Sequence, residues 1–272
     1  MAYGQTGSGK TFTVFGPKYC IDTIGKPGPL LDDVGLVPRL VERLFDYIGD
    51  NPRKAQFRIT VSFLQIYMEK ITDLLMPQKA DKNYATNSTR VNGASNHPID
   101  GSNLSIHEDP KTGIFVLGLT QKKIRSKEEL LNIIRRGVRK RATNQTTMND
   151  TSSRSHAILQ VFVEQRWVEH IKDSKSSTSA DSKAKPVKKR YHRKALMTIA
   201  DLAGSERLSK SGSEGARLAE TKNINKEISA LGNCISALAR KHKSKNTYIP
   251  FRNSKLTRIL TESLSGNIKT IV

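Results

Sequence analysis

Residues 57–67, FRITVSFLQIY, alternate along the chain, with Phe57, Ile59, Val61 and Phe63 on one side and Arg58, Thr60 and Ser62 on the other. A period of two predicts a strand with one buried face. Residues 157–163 (AILQVFV) and 195–200 (ALMTIA) predict two more strands. The second is too apolar to be expected at an exposed edge. Helices are signalled by a different period. Ser126 and Glu129 have the spacing of a capping box, in which each side chain satisfies a free backbone N–H. Leu130, Leu131, Ile134 and Val138 then follow on one helical face. In residues 223–239, Ile224, Ile228, Leu231, Ile235 and Leu238 recur at steps of four and three. That spacing predicts a helix facing the core, with a coiled-coil seam as the alternative. Strands mixed with helices and joined by polar connections give an α/β domain. No internal repeat is visible.

Two stretches break the pattern. Residues 77–102 are polar and rich in Asn, Gly and Ser, and residues 170–194 are basic, Ser-rich and aperiodic over most of their length. Both are expected to be insertion loops.

Composition narrows the class. Over 272 residues the chain is 36% hydrophobic and 26% charged, which fits one large globular domain. No apolar run approaches the ~20 residues of a membrane span, and no signal peptide precedes the first motif. Two cysteines, Cys20 and Cys234, exclude a disulfide framework or a multi-cysteine zinc site. The cytosol is the expected compartment. The net charge of +21 is concentrated in residues 122–141, 172–194 and 240–258, each carrying +7. Such clusters favour an anionic partner, with solvated faces as the plainer alternative.

Three segments carry chemistry. Gly4, Gln5, Thr6, Gly7, Ser8, Gly9, Lys10 and Thr11 match the phosphate-binding pattern G-x-x-x-x-G-K-[ST]. Glycines let backbone N–H groups wrap a phosphate, lysine neutralises it, and the threonine hydroxyl can ligate Mg²⁺. An ordinary glycine-rich turn is the alternative. The apolar strand at 195–200 runs into Asp201-Leu202-Ala203-Gly204-Ser205-Glu206. An aspartate at a buried strand end can hold a magnesium water, and a glycine after it can offer its N–H to a terminal phosphate. Residues 149–156, NDTSSRSH, crowd hydroxyls around one arginine, a second place where a phosphate could be sensed.

These segments resemble the three nucleotide motifs of kinesin motor domains, G-Q-T-x-S-G-K-T, N-x-x-S-S-R-S-H and D-L-A-G-S-E, in the family's order. The resemblance continues through Lys222–Asn225, Ser229–Asn233 and Tyr248–Arg258 and covers the chain outside the two insertions. It implies a P-loop NTPase-type fold, a central and mostly parallel sheet flanked by helices. It implies microtubule-stimulated ATP hydrolysis, with ATP and Mg²⁺ as cofactors and microtubules as partner, on the cytoskeleton in the cytoplasm. By the same resemblance Lys10 and Gly204 meet the γ-phosphate, and Thr11, Ser153 and Asp201 surround the metal. Ser152 positions the attacking water, and Arg154 pairs with Glu206 to close the site. His156 is expected to be structural.

The track-binding positions implied are Lys210, Tyr248, Arg252, Lys255 and Arg258, with Lys241, Lys243 and Lys245 in a lysine-rich loop that would hold acidic tubulin tails. Departures from the family are few. Asn253 stands where aspartate is common, and Glu227-Ile228 replace the usual Ser-Leu, neither expected to touch the nucleotide chemistry. Family members begin several strands and a helix before the phosphate loop and end with a further helix and a neck. The chain alone is therefore expected to be a partial domain, marginally stable and not a competent motor. A basic microtubule- or nucleic-acid-binding protein without ATP turnover is the alternative function, with nucleic acid the less expected partner. A GTPase is excluded because Asn225-Lys226-Glu227-Ile228 fails the N-K-x-D guanine signature at its last position.

Overall fold

The computed structural model describes residues 1–26, 28–51, 55–76, 101–110, 113–143, 153–171, 187–205, 216–241, 247–265 and 270. Its elements begin with helices α1 (Lys10–Phe15), α2 (Lys18–Thr23) and α3 (Leu36–Gly49). Strands β1 (Gln56–Tyr67), β2 (Lys70–Asp73), β3 (Ile106–Asp109), β4 (Gly113–Val116) and β5 (Lys122–Ile124) follow. Helix α4 (Lys127–Thr143), strands β6 (His156–Ile171) and β7 (Val187–Asp201) and helix α5 (Ala216–Lys241) come next. A 3₁₀ turn over Phe251–Asn253 leads into α6 (Lys255–Ile259) and α7 (Thr261–Leu264).

The main sheet runs β2-β1-β6-β7, and β5 pairs with β1 beside β2. Helices cover both faces. On one face Val14, Phe15, Val37, Val41, Leu130 and Ile134 pack on Ile59, Val61, Phe63, Leu159 and Val161. On the other, Leu231, Leu256, Ile259 and Leu260 pack on Leu64, Ile66, Ile158 and Ala200. The α/β class expected from the sequence is thus present as three layers. The mostly parallel sheet is not: every described strand pairing is antiparallel, and the one parallel contact is a bridge between Ala2 and Asp201. The reason is local. β1 reverses into β2 through two residues, and β6 and β7 are neighbours in both sequence and space, which antiparallel pairing requires of directly connected strands.

Other expectations shift at their edges. β1 has one buried face only as far as Val61, and from Ser62 to Ile66 both faces are buried, because helices cover the sheet on each side there. β7 lies at the end of the described sheet rather than inside it, with Leu196, Met197 and Ile199 half-buried. The loop expected over 170–194 is shorter, since β6 pairs with β7 as far as Ile171 opposite Val187. Only residues 172–186 of it, and 77–100 of the other insertion, lie outside the described residues. The capping box at α4 is half formed. Ser126 Oγ accepts the Glu129 N–H at 3.1 Å, but the Glu129 carboxylate takes the N–H of Arg125 at 2.9 Å rather than that of Ser126. In α5 the buried row is Ile224, Glu227, Leu231 and Cys234, while Ile235 is 43% exposed. The helix faces the core as expected, rotated from the predicted stripe, with Ala230, Cys234 and Ala237 buried beside that row.

No described helix is long and apolar enough to cross a membrane, and Cys20 and Cys234 are both free and buried.

Gly137 shows what fixes α4 against the sheet. A Cβ there would stand 2.3 Å from the Phe63 ring. Gly137→Ala therefore forces the ring or the helix to move, at about 1–3 kcal/mol. That outweighs the ~1 kcal/mol that alanine gains in a helix interior. Urea unfolding should show a lower midpoint for Gly137→Ala and partial recovery when Phe63→Leu is added. An unchanged midpoint would mean that α4 is not packed this closely.

Candidate functional site

The loop before α1 is built for close approach by a ligand. Gly4, Gly7 and Gly9 all have positive φ, at 154°, 80° and 87°. At Gly4 a Cβ would also come within 2.7 Å of Ser8 Oγ. Gln5, Thr6, Gly7 and Ser8 are exposed, so their backbone faces solvent. Lys10 Nζ folds back over the loop and donates to the carbonyls of Gly4 and Gln5, each at 2.9 Å. Those carbonyl contacts mark where an anion can claim the ammonium.

Next to the loop lies a buried carboxylate. Asp201 ends β7, is fully buried, and accepts through Oδ2 from Thr11 Oγ1 at 2.7 Å and from Arg141 Nη1 at 2.6 Å. Two motifs 190 residues apart meet at one oxygen. Arg141, from the last turn of α4, also donates through Nη2 to the Ser155 carbonyl at 2.8 Å and through Nε to Ser155 Oγ at 3.4 Å. Asp201 Oδ1 is buried with no hydrogen-bond partner among the described residues. A buried, unsatisfied carboxylate oxygen is rare, and this one lies on the carboxylate that holds the Thr11 hydroxyl. Among the described residues no group of three or more His, Cys, Asp and Glu gathers to bind a metal. A cation here would rely on hydroxyls and one carboxylate, which suits Mg²⁺ sharing its shell with phosphates.

The sensing segments are already joined to each other. Gly204 donates its N–H to the Ser153 carbonyl at 2.7 Å, and Ser205 to the Gly4 carbonyl at 3.1 Å. Ala2 donates to the Ala200 carbonyl at 2.9 Å and its own carbonyl accepts from Leu202 at 3.2 Å. The loop, β7's end and the 153–156 segment form one backbone-bonded unit. Ser152 and Glu206 lie outside the described residues, so the expected Arg154–Glu206 pair does too.

His156 is structural, as expected, but its partner was not. The ring is fully buried. Its Nδ1 accepts the Ala203 N–H at 3.0 Å, which puts its proton on Nε2, 3.0 Å from Glu227 Oε2. Glu227, expected to stand clear of the nucleotide chemistry, contacts this structural ring and not a residue expected to meet the nucleotide. Its longer side chain reaches from α5 to a motif residue that a serine at 227 could not touch. Arg141 was missed because its cluster of nine basic residues in 122–141 gives no sign of which one is buried.

The expected track-binding residues gather on the α5–α6 side. Lys241 ends α5 exposed. Tyr248 is 75% exposed. Arg252 is exposed and pairs with Glu108 at 2.9 Å. Lys255 and Arg258 are half-buried on α6, where Arg258 Nη2 donates to the Ile106 carbonyl at 3.5 Å. α6 packs on α5, β3 and β4, so this surface is held by the small β3–β4 hairpin. Lys210, Lys243 and Lys245 lie outside the described residues.

Removing one partner of a buried ion pair costs about 3–5 kcal/mol, because the other is left uncompensated. Arg141→Leu should therefore lower stability by that order in urea unfolding. Arg141→Leu combined with Asp201→Leu should cost much less. A double-variant loss equal to the sum of the losses in Arg141→Leu and Asp201→Leu alone would show that the pair is not coupled.

The Kinesin motor domain family model matches residues 1–272. Similar curated proteins include the kinesin heavy chains of Syncephalastrum racemosum (38% identity, 99% of this chain, 23% of that protein) and Strongylocentrotus purpuratus (40%, 100% and 21%). The chain thus spans about a fifth of the length of these relatives. Among solved structures, a fast kinesin studied for its ATPase mechanism and interactions with microtubules matches at 35% identity and TM-score 0.69, over 97% of this chain and 59% of that one. The KIF14 dimer with AMP-PNP in complex with a microtubule matches at 32% and TM-score 0.72, over 99% and 62%. With the family model matching residues 1–272, this chain belongs to the kinesin motor domain family.

Proposed function

We propose that the protein carrying this chain binds ATP with Mg²⁺ at residues 4–11 and hydrolyses it when a microtubule engages the α5–α6 surface, on the cytoskeleton in the cytoplasm. The observation that carries this reading is the Thr11–Asp201 contact at 2.7 Å beside the unsatisfied Asp201 Oδ1. It brings a hydroxyl and a buried acceptor together at the phosphate loop. Relatives solved with AMP-PNP on a microtubule, and with attention to ATPase mechanism, support the same reading.

In this mechanism phosphate oxygens take Lys10 Nζ from the Gly4 and Gln5 carbonyls. Thr11 would ligate the metal, with Ser153 and Asp201 completing its surroundings. Mg²⁺, when bound, neutralises charge on the β- and γ-phosphate oxygens. The Gly204 N–H exchanges the Ser153 carbonyl for the terminal phosphate, so the 153–156 segment is freed to close. Arg154 with Glu206 completes closure, and Ser152 orients the water. These groups act by positioning and by fixed charge rather than by covalent chemistry.

Ligand that binds only the folded state raises stability, by ~2.7 kcal/mol at a hundred times its Kd. Mg-ATP should raise the unfolding temperature of the purified protein, and Lys10→Ala should abolish the rise. Glu206→Ala should keep the rise and lose microtubule-stimulated turnover. A rise that survives Lys10→Ala would remove the loop from the site. Microtubule binding without any turnover would favour the alternative reading of a non-hydrolysing basic binder.

Lys241, Lys243 and Lys245 act in this reading as an electrostatic tether to acidic tubulin tails. Exposed charges are screened beyond ~8 Å at physiological salt, so the tether accelerates encounter more than it changes turnover at saturation. Replacing the three lysines with glutamine should flatten the salt dependence of microtubule binding. An unchanged slope, or equal binding to microtubules stripped of their acidic tails, would make the loop a passive solvated segment.

A further inference from the structure

Met68 and Glu69 form the two-residue turn between β1 and β2, closed by Tyr67 opposite Lys70. Both have positive φ, 50° and 56°, the mirror-image turn geometry that normally selects Asn-Gly. Side chains larger than glycine are strained there, so the surroundings must hold the turn in place. Two contacts do. The Glu69 N–H donates to Glu227 Oε1 at 3.2 Å, and Glu69 Oε2 accepts the Lys255 N–H at the start of α6, at 3.1 Å. Glu227 Oε2 meanwhile holds His156 Nε2 at 3.0 Å, and His156 Nδ1 holds the Ala203 N–H, one residue before Gly204. One buried carboxylate on α5 therefore stands midway in a continuous chain. It runs from the backbone at 203, through the His156 ring and Glu227, to the 68–69 turn and then to Lys255.

We infer that Glu227 is a positioning residue that couples the 201–204 strand end to the first turn of α6 through His156 and Glu69. The inference rests on the motor reading above and names the residues that carry its coupling. The chain is rigid where it matters. The imidazole is 0% exposed and Glu227 is 1% exposed, so neither can exchange its partner for water. If Gly204 gives up the Ser153 carbonyl, the backbone at 203 moves, and the His156 ring must follow or lose a bond. The same motion pulls on Glu227 and so on the turn that caps α6, the helix carrying Lys255 and Arg258.

The chain also contains a proton-sensitive contact. The Glu69 N–H meets Glu227 Oε1 at 3.2 Å, and Glu69 Oε1 is buried without a hydrogen-bond partner among the described residues. Burial, with the Glu227 carboxylate beside it, holds the Glu69 carboxyl above its ordinary 4.5. The Lys255 N–H and the Lys226 ammonium on α5 oppose that shift. His156 faces Glu227 from β6, its Nε2 3.0 Å from Glu227 Oε2. The folded state therefore holds a proton that the unfolded chain releases, and its contribution is lost as pH rises from 4.5 through the higher folded value. Protonated, Glu69 can donate to Glu227 and tighten the chain. Ionised, the two carboxylates repel and loosen it.

The test is the ratio of microtubule affinities with AMP-PNP and with ADP, measured on the purified protein as pH is raised from 4.5, the ordinary value for this carboxyl. The wild type should show a ratio above unity that falls as pH rises. Glu227→Ala should shrink the ratio by about 2- to 30-fold, the range of residues along a coupling network. Glu227→Gln keeps one acceptor, for His156 or for the Glu69 N–H but not both, and should lose less of the ratio than Glu227→Ala. Glu69→Gln should keep the ratio and flatten its pH dependence. An unchanged ratio and pH profile in Glu227→Ala would overturn the inference. Should that variant fail to fold, an unchanged pH slope in Glu69→Gln overturns it instead. A wild type whose microtubule affinity ignores the nucleotide would sink the motor reading itself, a distinct outcome.

Discussion

Asp201 is a carboxylate without access to water, and a buried ion must be compensated by its neighbours or neutralised. That constraint organises the site. Compensation arrives from the end of α4, as the Arg141 guanidinium, and from the start of α1, as the Thr11 hydroxyl. Arg141 then reaches Ser155, which fixes the segment leading into β6. Three connections that would otherwise sit independently at the sheet's end are gathered around one charge. The phosphate loop inherits its position from this arrangement, since Ser205 and Thr11 both tie it to the end of β7.

The half-satisfied state of that carboxylate is as informative as its pairing. Oδ2 carries two donors while Oδ1 carries none among the described residues. The protein keeps an acceptor ready in a place where an unmet acceptor is costly. Such a cost is tolerated where a ligand can relieve it, and the adjacent glycine-rich loop is where that ligand would bind.

Much of this could be read from the residues, for identifiable reasons. The phosphate loop was legible because its chemistry forces glycines and a lysine into fixed spacing. The strands at 57–67 and 157–163 were legible because alternation marks the start of the first and a bounded apolar run marks the second. The direction of the sheet was not: apolar strands separated by polar stretches read alike whether their neighbours run parallel or antiparallel, and the resemblance supplied an expectation that the pairings did not meet. The rotation of α5 was hidden because Ile235 looks like core, whereas small residues and Glu227 make the close contact. Buried charges were the hardest to see. Nothing in the run RRGVRKR marks Arg141 as buried, and Glu227 stood out only as a departure from the family's usual serine.

β6 and β7 continue past the end of β1, which stops at Gln56 opposite Arg166. Beyond it they pair alone, from Trp167 opposite Tyr191 to Ile171 opposite Val187. Trp167 and Tyr191 stack with ring centroids 5.1 Å apart, and the Arg193 guanidinium sits 5.7 Å from the Trp167 ring. Such a clasp closes the ribbon before the 172–186 connection begins, so the sheet does not depend on how that connection is made. Closing a flexible loop of twice the length costs only ~0.6 kcal/mol more. This end of the molecule can therefore gain, lose or exchange sequence between Ile171 and Val187 without any adjustment at Asp201, at the far end of the same strand. In a fold otherwise tied tightly to its nucleotide site, the ribbon separates what can diversify from what must stay fixed.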